Sequence, residues 1–225
     1  MENTENIVKE EQKRPELGKK APYFKANTTH GVKSIDDFKG KWLIFFSHPA
    51  DFTPVCTTEF VSFQEHYPEF QKRKTELLGL SIDSIFSHIA WTRNIKEKLN
   101  VEIQFPILED LSMQVARSYG MIHENMGETQ AVRSVFFIDP NGILRAMVYY
   151  PMSMGRNMSE FVRMIDALQE SDKNQCATPA NWQKGDKVIV PPAMTTQQAE
   201  DNFNNNDYEV TDWYLCKKSV GSFGG

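Results

Sequence analysis

The sequence has no apolar run long enough to cross a bilayer. Its longest strongly apolar stretch, Trp42 to Phe46, falls far short of the roughly 20 residues that a spanning helix needs. Positive charge is not in excess either. Lys and Arg number 25 against 30 Asp and Glu, a formal net charge of −5, so the basic stripe on which nucleic-acid binders depend is missing. The opening residues, Met1-Glu2-Asn3-Thr4-Glu5, are acidic and no apolar h-region follows them; no secretory signal is expected, and the cytoplasm is the expected location. Cysteine is scarce. There are three, an odd number, with no Cys-x-x-Cys. That argues against a disulfide scaffold and against a thioredoxin-type exchanger, and in a reducing compartment the three are expected to rest as thiols. The five histidines and three cysteines are scattered without metal-ligand spacing, so neither a metal site nor any other cofactor is expected.

What is present is enough for a sizeable core: 225 residues, 40% hydrophobic and 12% aromatic, which fits one domain with an appendage. Residues 1–14 read as a flexible tail, 15–171 as the main domain and 172–225 as a C-terminal arm. Lys41 to His48, bounded by Gly40 and Pro49, is a continuous apolar run of strand length, expected to be buried on both faces. A loop over 49–54 leads into a helix over about 53–72. A second buried strand is expected at 77–82. A helix over 85–99 follows from the spacing of Ile85, Ile89, Trp91, Ile95 and Leu99. A short strand at 105–108 and a short helix at 111–119 come next. Val135 to Ile138 and Ile143 to Tyr150 flank Asp139-Pro140-Asn141-Gly142, a turn that makes them a hairpin. Asn157, with Glu160 three residues on, can open a last helix whose buried face is Phe161, Val162, Ile165 and Leu168. Alternating strands and helices ending in a hairpin and a helix point to an α/β fold: a thioredoxin-like mixed sheet flanked by helices. The arm mixes Pro179, Pro191, Pro192 and a polar run over 197–207 with apolar anchors at Trp182, Val188 to Val190 and Trp213 to Leu215. It reads as a segment lying on another surface, extended and without a core of its own.

The segment that carries chemistry is His48-Pro49-Ala50-Asp51-Phe52-Thr53-Pro54-Val55-Cys56-Thr57-Thr58-Glu59. Cys56 lies eight residues after the buried strand, in the first turn of the following helix. Unpaired backbone N–H groups and the helix dipole concentrate positive potential there, and such a setting favours the nucleophilic thiolate. Thr53 can bring its hydroxyl to the sulfur or to an oxygen bound beside it. Pro49 and Pro54 stiffen the loop and exclude water. A lone cysteine is more often a small buried hydrophobe than a catalyst; the joint pattern Pro-x-x-x-Thr-x-x-Cys at a strand-to-helix junction is much more specific.

With Pro49, Thr53 and Cys56 in place, the sequence resembles the peroxiredoxins, and the string Ser47 to Glu59 is similar to their one-cysteine, peroxiredoxin-6-like branch. The resemblance extends through Ser81 to Ser84, Ser87 to Trp91, Arg133 to Asp139, Tyr149 to Pro151, Gly155 to Asn157 and Ala177 to Trp182, and so covers most of 15–192. It implies a thiol peroxidase for hydrogen peroxide and small organic hydroperoxides, acting through a cysteine sulfenic acid in antioxidant defence. Cys56 would attack the peroxide, Arg133 would keep the thiolate ionised and steady the peroxide oxygens, Thr53 would hydrogen-bond the attacked oxygen and Pro49 would shield it. Glu59 would orient Arg133; Arg156 matches a second arginine near the pocket. Without the resemblance both arginines read as surface charges, and His48 stands equally as a structural or a catalytic residue.

Two cysteines compete to resolve the sulfenic acid. Cys216 closes Asp212-Trp213-Tyr214-Leu215-Cys216, which resembles the ends of archaeal and clostridial members; Lys217 and Lys218 beside it would favour its thiolate. Cys176 is two residues out of register with the resolving cysteine of two-cysteine relatives, because Thr178 holds that place. A plain one-cysteine cycle is the alternative. The expected partners are a peroxide, an external reductant (thioredoxin-like or a small thiol) and a second copy of the chain. At least a homodimer is expected, since Trp182, Trp213 and Tyr214 need a surface to cover, and a ring of dimers is compatible with it. Nucleic acid and membrane are not expected. A redox-controlled chaperone or scaffold is a second reading. Phospholipase chemistry, known from some relatives, is the weakest: Phe38-Lys39-Gly40-Lys41-Trp42 lacks the serine it would require.

Overall fold

The computed structural model describes residues 14–127 and 129–220. The tail expected at 1–14 lies almost wholly outside the described residues, and the glycine-rich end lies outside them too. The chain divides into two compact units, Met1–Met158 and Ser159–Gly225.

The first unit is built on a seven-stranded mixed sheet. Its strands are β1 (Lys25–Thr28), β2 (Gly31–Ser34), β3 (Trp42–Ser47), β4 (Thr75–Ser81), β5 (Ile107–Glu109), β6 (Arg133–Ile138) and β7 (Leu144–Tyr150), and its helices are α1 (Pro54–Lys72), α2 (Ile85–Leu99) and α3 (Gln114–Ser118). The strand order is β2-β1-β5-β4-β3-β6-β7. β3 lies parallel to β4 and antiparallel to β6, which explains its continuous apolar run: all six of its residues are buried. Alternation divides its side chains between two layers. On one face Phe45 packs with Phe24, Tyr119 and Phe136. On the other Phe46 packs with Phe60, Phe63 and Phe105.

α1 follows from spacing and a start signal. Cys56, Glu59, Phe60, Phe63, Tyr67 and Phe70 are its buried residues, one stripe at helical period. Thr53 caps it in extended backbone and Pro54 occupies the first turn. The reactive-cysteine candidate therefore lies on the stripe that faces the sheet, one turn before Phe60. At the β6–β7 turn, Gly142 N donates to the Asp139 carbonyl at 2.8 Å, and Gly142 takes the positive φ of 76° that glycine tolerates.

Three expectations need correction. The apolar spacing of α2 overstates its buried face: Trp91 and Ile95 are buried, but Ile89 and Leu99 are exposed, and His88, one turn before Trp91, completes the buried stripe. The hairpin β1–β2 was not expected, because Lys25 to Ser34 is too polar to show a strand pattern. The arm is not merely extended.

The second unit contains α4 (Met158–Asn174), α5 (Thr196–Phe203) and a three-stranded sheet, β8 (Val188–Ile189), β9 (Glu209–Asp212) and β10 (Leu215–Lys218), in the order β8-β10-β9. The polar run expected at 197–207 forms α5, capped by Thr195, whose hydroxyl accepts from Gln198 N. Trp182 is not an anchor waiting for a partner. It is buried, its Nε1 donates to the Asp186 carbonyl at 3.1 Å, and its own carbonyl accepts from Arg163 Nη1. Phe203, Trp213 and Tyr214 are exposed aromatics of this unit.

Candidate active site

The site forms where the C-terminal end of β3, the start of α1 and the first residue of β6 meet. β6 runs beside β3 with Val135 opposite Phe46, so Arg133 arrives at the end of β3 where α1 begins. Cys56 is fully buried, and Arg133 Nη1 donates to its sulfur at 3.3 Å. The same nitrogen donates to Glu59 Oε2 at 2.7 Å, and Nε donates to the Met152 carbonyl at 2.9 Å.

Glu59 is where two arginines converge. Its Oε1 accepts from Arg156 N and Nε, both at 2.9 Å, and its Oε2 accepts from Arg156 Nη2 at 2.8 Å. Arg156 Nη1 then reaches the carbonyls of Ser47 and Ser134 at 2.9 and 3.0 Å, tying β3 to β6. Its guanidinium lies over the rings of Phe46 and Phe63. Neither arginine is a surface charge; both are buried. The charges decide the chemistry. Two guanidinium cations face one carboxylate, so the buried cluster carries one uncompensated positive charge unless Cys56 is a thiolate. The first turn of α1 adds unpaired N–H groups of the same polarity.

The loop between β3 and α1 is held on its far side. Thr53 Oγ1 donates to the Ala50 carbonyl at 2.9 Å, while the Thr53 carbonyl accepts from Thr57 Oγ1 at 2.8 Å. Pro49 is buried. Trp91 Nε1 donates to Thr57 Oγ1 at 3.3 Å and the Trp91 ring stacks on His48. His48 is fully buried, and its Nε2 meets Asp51 Oδ1 at 2.9 Å. His88 Nδ1 meets the other oxygen of Asp51 at 2.8 Å. The histidines are thus not all scattered: the fold gathers His48, Asp51 and His88, donors of a type that can hold a metal ion. Those atoms are already engaged with one another.

Burial alone would push the Asp51 carboxyl up, but hydrogen bonds from His48 and His88 outweigh it and hold the group well below the usual carboxylate range. Burial lowers His48 from its ordinary value, against a smaller opposite pull from Asp51. Sequence reasoning passed over Asp51, His88, Trp91 and Ser47. Asp51 stood inside the motif unexamined, and nothing in their spacing joins the other three to it.

All three cysteines are free thiols. Cys176 is half-buried with its sulfur 3.7 Å from the Glu170 carbonyl, and burial together with the Glu170 charge raises its pKa. Cys216 is buried, with its sulfur 3.3 Å from the Asp212 carbonyl. No helix among the described residues is long and apolar enough to cross a membrane.

The family model of the AhpC/TSA family matches residues 17–147, and that of the C-terminal domain of 1-Cys peroxiredoxin matches 167–206. A peroxiredoxin of Aquifex aeolicus is 54% identical over 217 residues, covering 92% of this chain and 97% of that protein. One of Thermotoga maritima is 54% identical over 211 residues, covering 92% and 98%. Among solved structures, a yeast mitochondrial 1-Cys peroxiredoxin, described for thiol resolution via glutathione/thioredoxin systems, superposes with a TM-score of 0.81 at 41% identity, covering 91% of this chain and 99% of that one. Peroxiredoxin 6 of Arenicola marina gives a TM-score of 0.81 at 34% identity, covering 92% and 99%.

Proposed function

This chain belongs to the peroxiredoxin family and is a thiol-dependent peroxidase, and on that premise we propose that Cys56 is the sulfur that attacks the peroxide. The observation that carries this reading is the Arg133 nitrogen 3.3 Å from the Cys56 sulfur, braced by Glu59 and Arg156. The thiolate attacks one oxygen of ROOH, the O–O bond breaks, and the departing alkoxide takes up a proton and leaves as ROH. Cys56 is left as sulfenic acid. A thiol then displaces water from that sulfur to form a disulfide, and a second thiol releases the reduced enzyme.

Each neighbour has a part in this scheme. Arg133 stabilises the thiolate and the charge that spreads onto the peroxide oxygens. Thr53 has committed its hydroxyl proton to the Ala50 carbonyl, so its oxygen is left to accept the proton of the incoming peroxide and turn the O–O bond toward sulfur. Pro49 closes the water-facing side. Arg156 acts through Glu59 as a brace, and His48 as a support of the loop.

Residues 15–171 form the peroxidase domain in this reading, and 172–225 the arm that serves oligomerisation and resolution. The chain works in the cytoplasm as at least a homodimer, with a thioredoxin-like protein or a small thiol as reductant. Exposed Trp213 and Tyr214 are the arm's docking residues.

The test is peroxide consumption by the purified chain with a thiol donor, for the wild type and Cys56→Ser. Turnover in the wild type and its loss in a folded Cys56→Ser chain is the expected result. Retention of more than a trace of the rate would refute the assignment.

A further inference from the structure

The loop His48 to Thr53 carries two residues of the reaction, Pro49 and Thr53, and its shape is not self-supporting. Phe52 has φ 56°, a left-handed conformation that a bulky residue adopts only when its surroundings impose it. Its own ring does not impose it, being 56% exposed. The constraint must come from its neighbours. Thr53 is fastened to Ala50 within the loop. Asp51 is fastened to the body of the domain: its N–H donates to Asp83 Oδ2 at 3.0 Å, and its carboxylate meets His48 Nε2 and His88 Nδ1.

The partners dictate where the protons are. An ionised carboxylate only accepts, so both imidazole nitrogens facing Asp51 must carry hydrogen. The other nitrogen of His88, Nε2, is 3.2 Å from the Leu108 carbonyl, so the ring is held at both ends, by Asp51 and by the backbone of β5. His48 has its other nitrogen, Nδ1, buried without a partner. A bare lone pair there costs less than an orphaned charged N–H, so His48 is neutral with its proton on Nε2. A second acidic group beside the cluster is Asp83, just after β4, whose Oδ2 is shared between Asp51 N and Ser81 Oγ. The first turn of α2 brings no acidic side chain.

We propose that Asp51 and His88 are positioning residues for peroxide reduction: a buried carboxylate–histidine pair that clamps the strained loop and so sets where Thr53 and Pro49 meet the substrate. This rests on the roles given above to Cys56 and Thr53. Neither residue of the pair touches the sulfur or the peroxide. The clamp acts on the oxygen that orients the peroxide, while Arg133 acts on the sulfur, and the two contributions separate experimentally.

Asp51→Asn removes the charge at nearly constant shape, and His88→Leu removes both ring nitrogens. For each, kcat and KM for hydrogen peroxide are measured beside the rate at which iodoacetamide alkylates Cys56, with circular dichroism to verify folding. The expected result is a fall of about 10²-fold in kcat/KM for peroxide, the scale of a misplaced reacting group, with alkylation unchanged. Equal losses in both rates, or no loss in either, overturn the proposal. A second measurement needs no variant. In the reduced wild-type chain, ¹⁵N-histidine NMR at neutral pH should show hydrogen on the two nitrogens that face Asp51, His88 Nδ1 and His48 Nε2, and none on His48 Nδ1. A bare His88 Nδ1 overturns the proposal, as does a stoichiometric divalent metal that the wild type retains and Asp51→Asn loses. Peroxidase activity surviving in Cys56→Ser would instead remove the reading of Cys56 and leave the proton assignment to the NMR result.

Discussion

Arg133 shares a single nitrogen between the Cys56 sulfur and a Glu59 oxygen. Arg133→Met takes the cation from the sulfur while Glu59 keeps Arg156, so the fold should survive. The pH at which Cys56 alkylation reaches half its maximal rate should move upward, and the peroxide rate should fall by about 10²–10³-fold, the usual cost of losing one preorganised donor. An alkylation profile and a peroxide rate that both match the wild type would remove Arg133 from the site. Acid stability belongs to the neighbouring loop. Burial lowers the His48 pKa from 6.5, so as pH drops through that value the unfolded chain gains a proton that the native chain refuses, and stability falls. The Asp51 pKa lies below its ordinary 3.8; its contribution is present above that value and is lost as pH falls through and below it. The urea midpoint should therefore decline from pH 7 to 5, and more steeply below 4. A His48→Gln chain that declines as much between 7 and 5 would contradict this. Cys56, Thr53 and Pro49 were readable because one short junction holds them all. Glu59, Arg133 and Arg156 were reached through family resemblance. Asp51 and His88 were hidden, since 37 residues separate them and only the order of strands and helices brings them together.

β4 comes close to α1 at a glycine. A Cβ at Gly79 would lie 3.2 Å from Phe60 Cζ and 3.4 Å from Phe46 Cζ, closer than packed rings accept. Gly79→Ala should cost about 1–3 kcal/mol, the range for overpacking a core. In a domain of this size that lowers Tm by roughly 2–10 °C, readable by a thermal scan; an unchanged Tm would mean that Phe60 moves aside without loss. Elements like β3, β6 and α1 were legible because buried strands and one-sided helices write their burial into the sequence as runs and stripes. α2 was legible in extent but not in orientation: Phe86 is 79% exposed while His88 is buried, an inversion driven by the carboxylate waiting for that imidazole. β1, β2 and the small sheet of the arm are held by backbone pairing, which leaves little trace in side-chain pattern.

The cysteines are split between the two units, Cys56 in one and Cys176 and Cys216 in the other. Burial and the Glu170 charge raise the Cys176 pKa, which disfavours its thiolate. Cys216 sits in β10, the middle strand of its sheet, and is buried, so it reacts only when that strand opens. We expect one equivalent of peroxide to produce a covalent species on a non-reducing gel that Cys216→Ser lacks and Cys176→Ser retains. The reverse pattern would make Cys176 the resolver, and accumulation of sulfenic acid without any disulfide would establish a one-cysteine cycle served by an outside thiol.

The sheet order also bears on how the protein is made. The residues around the sulfur come from positions 47 to 59, then 133, then 156, and β3 finds its antiparallel neighbour nearly 90 residues later. A ribosome-bound chain cut short of Arg133 possesses Cys56 but neither of the cations of the finished site, Arg133 and Arg156. On the role proposed for Arg133, sensitivity to peroxide is acquired late, after most of the domain has emerged. During synthesis, when an oxidised sulfur would spoil the core, Cys56 is no more exposed to oxidative damage than any unstructured thiol.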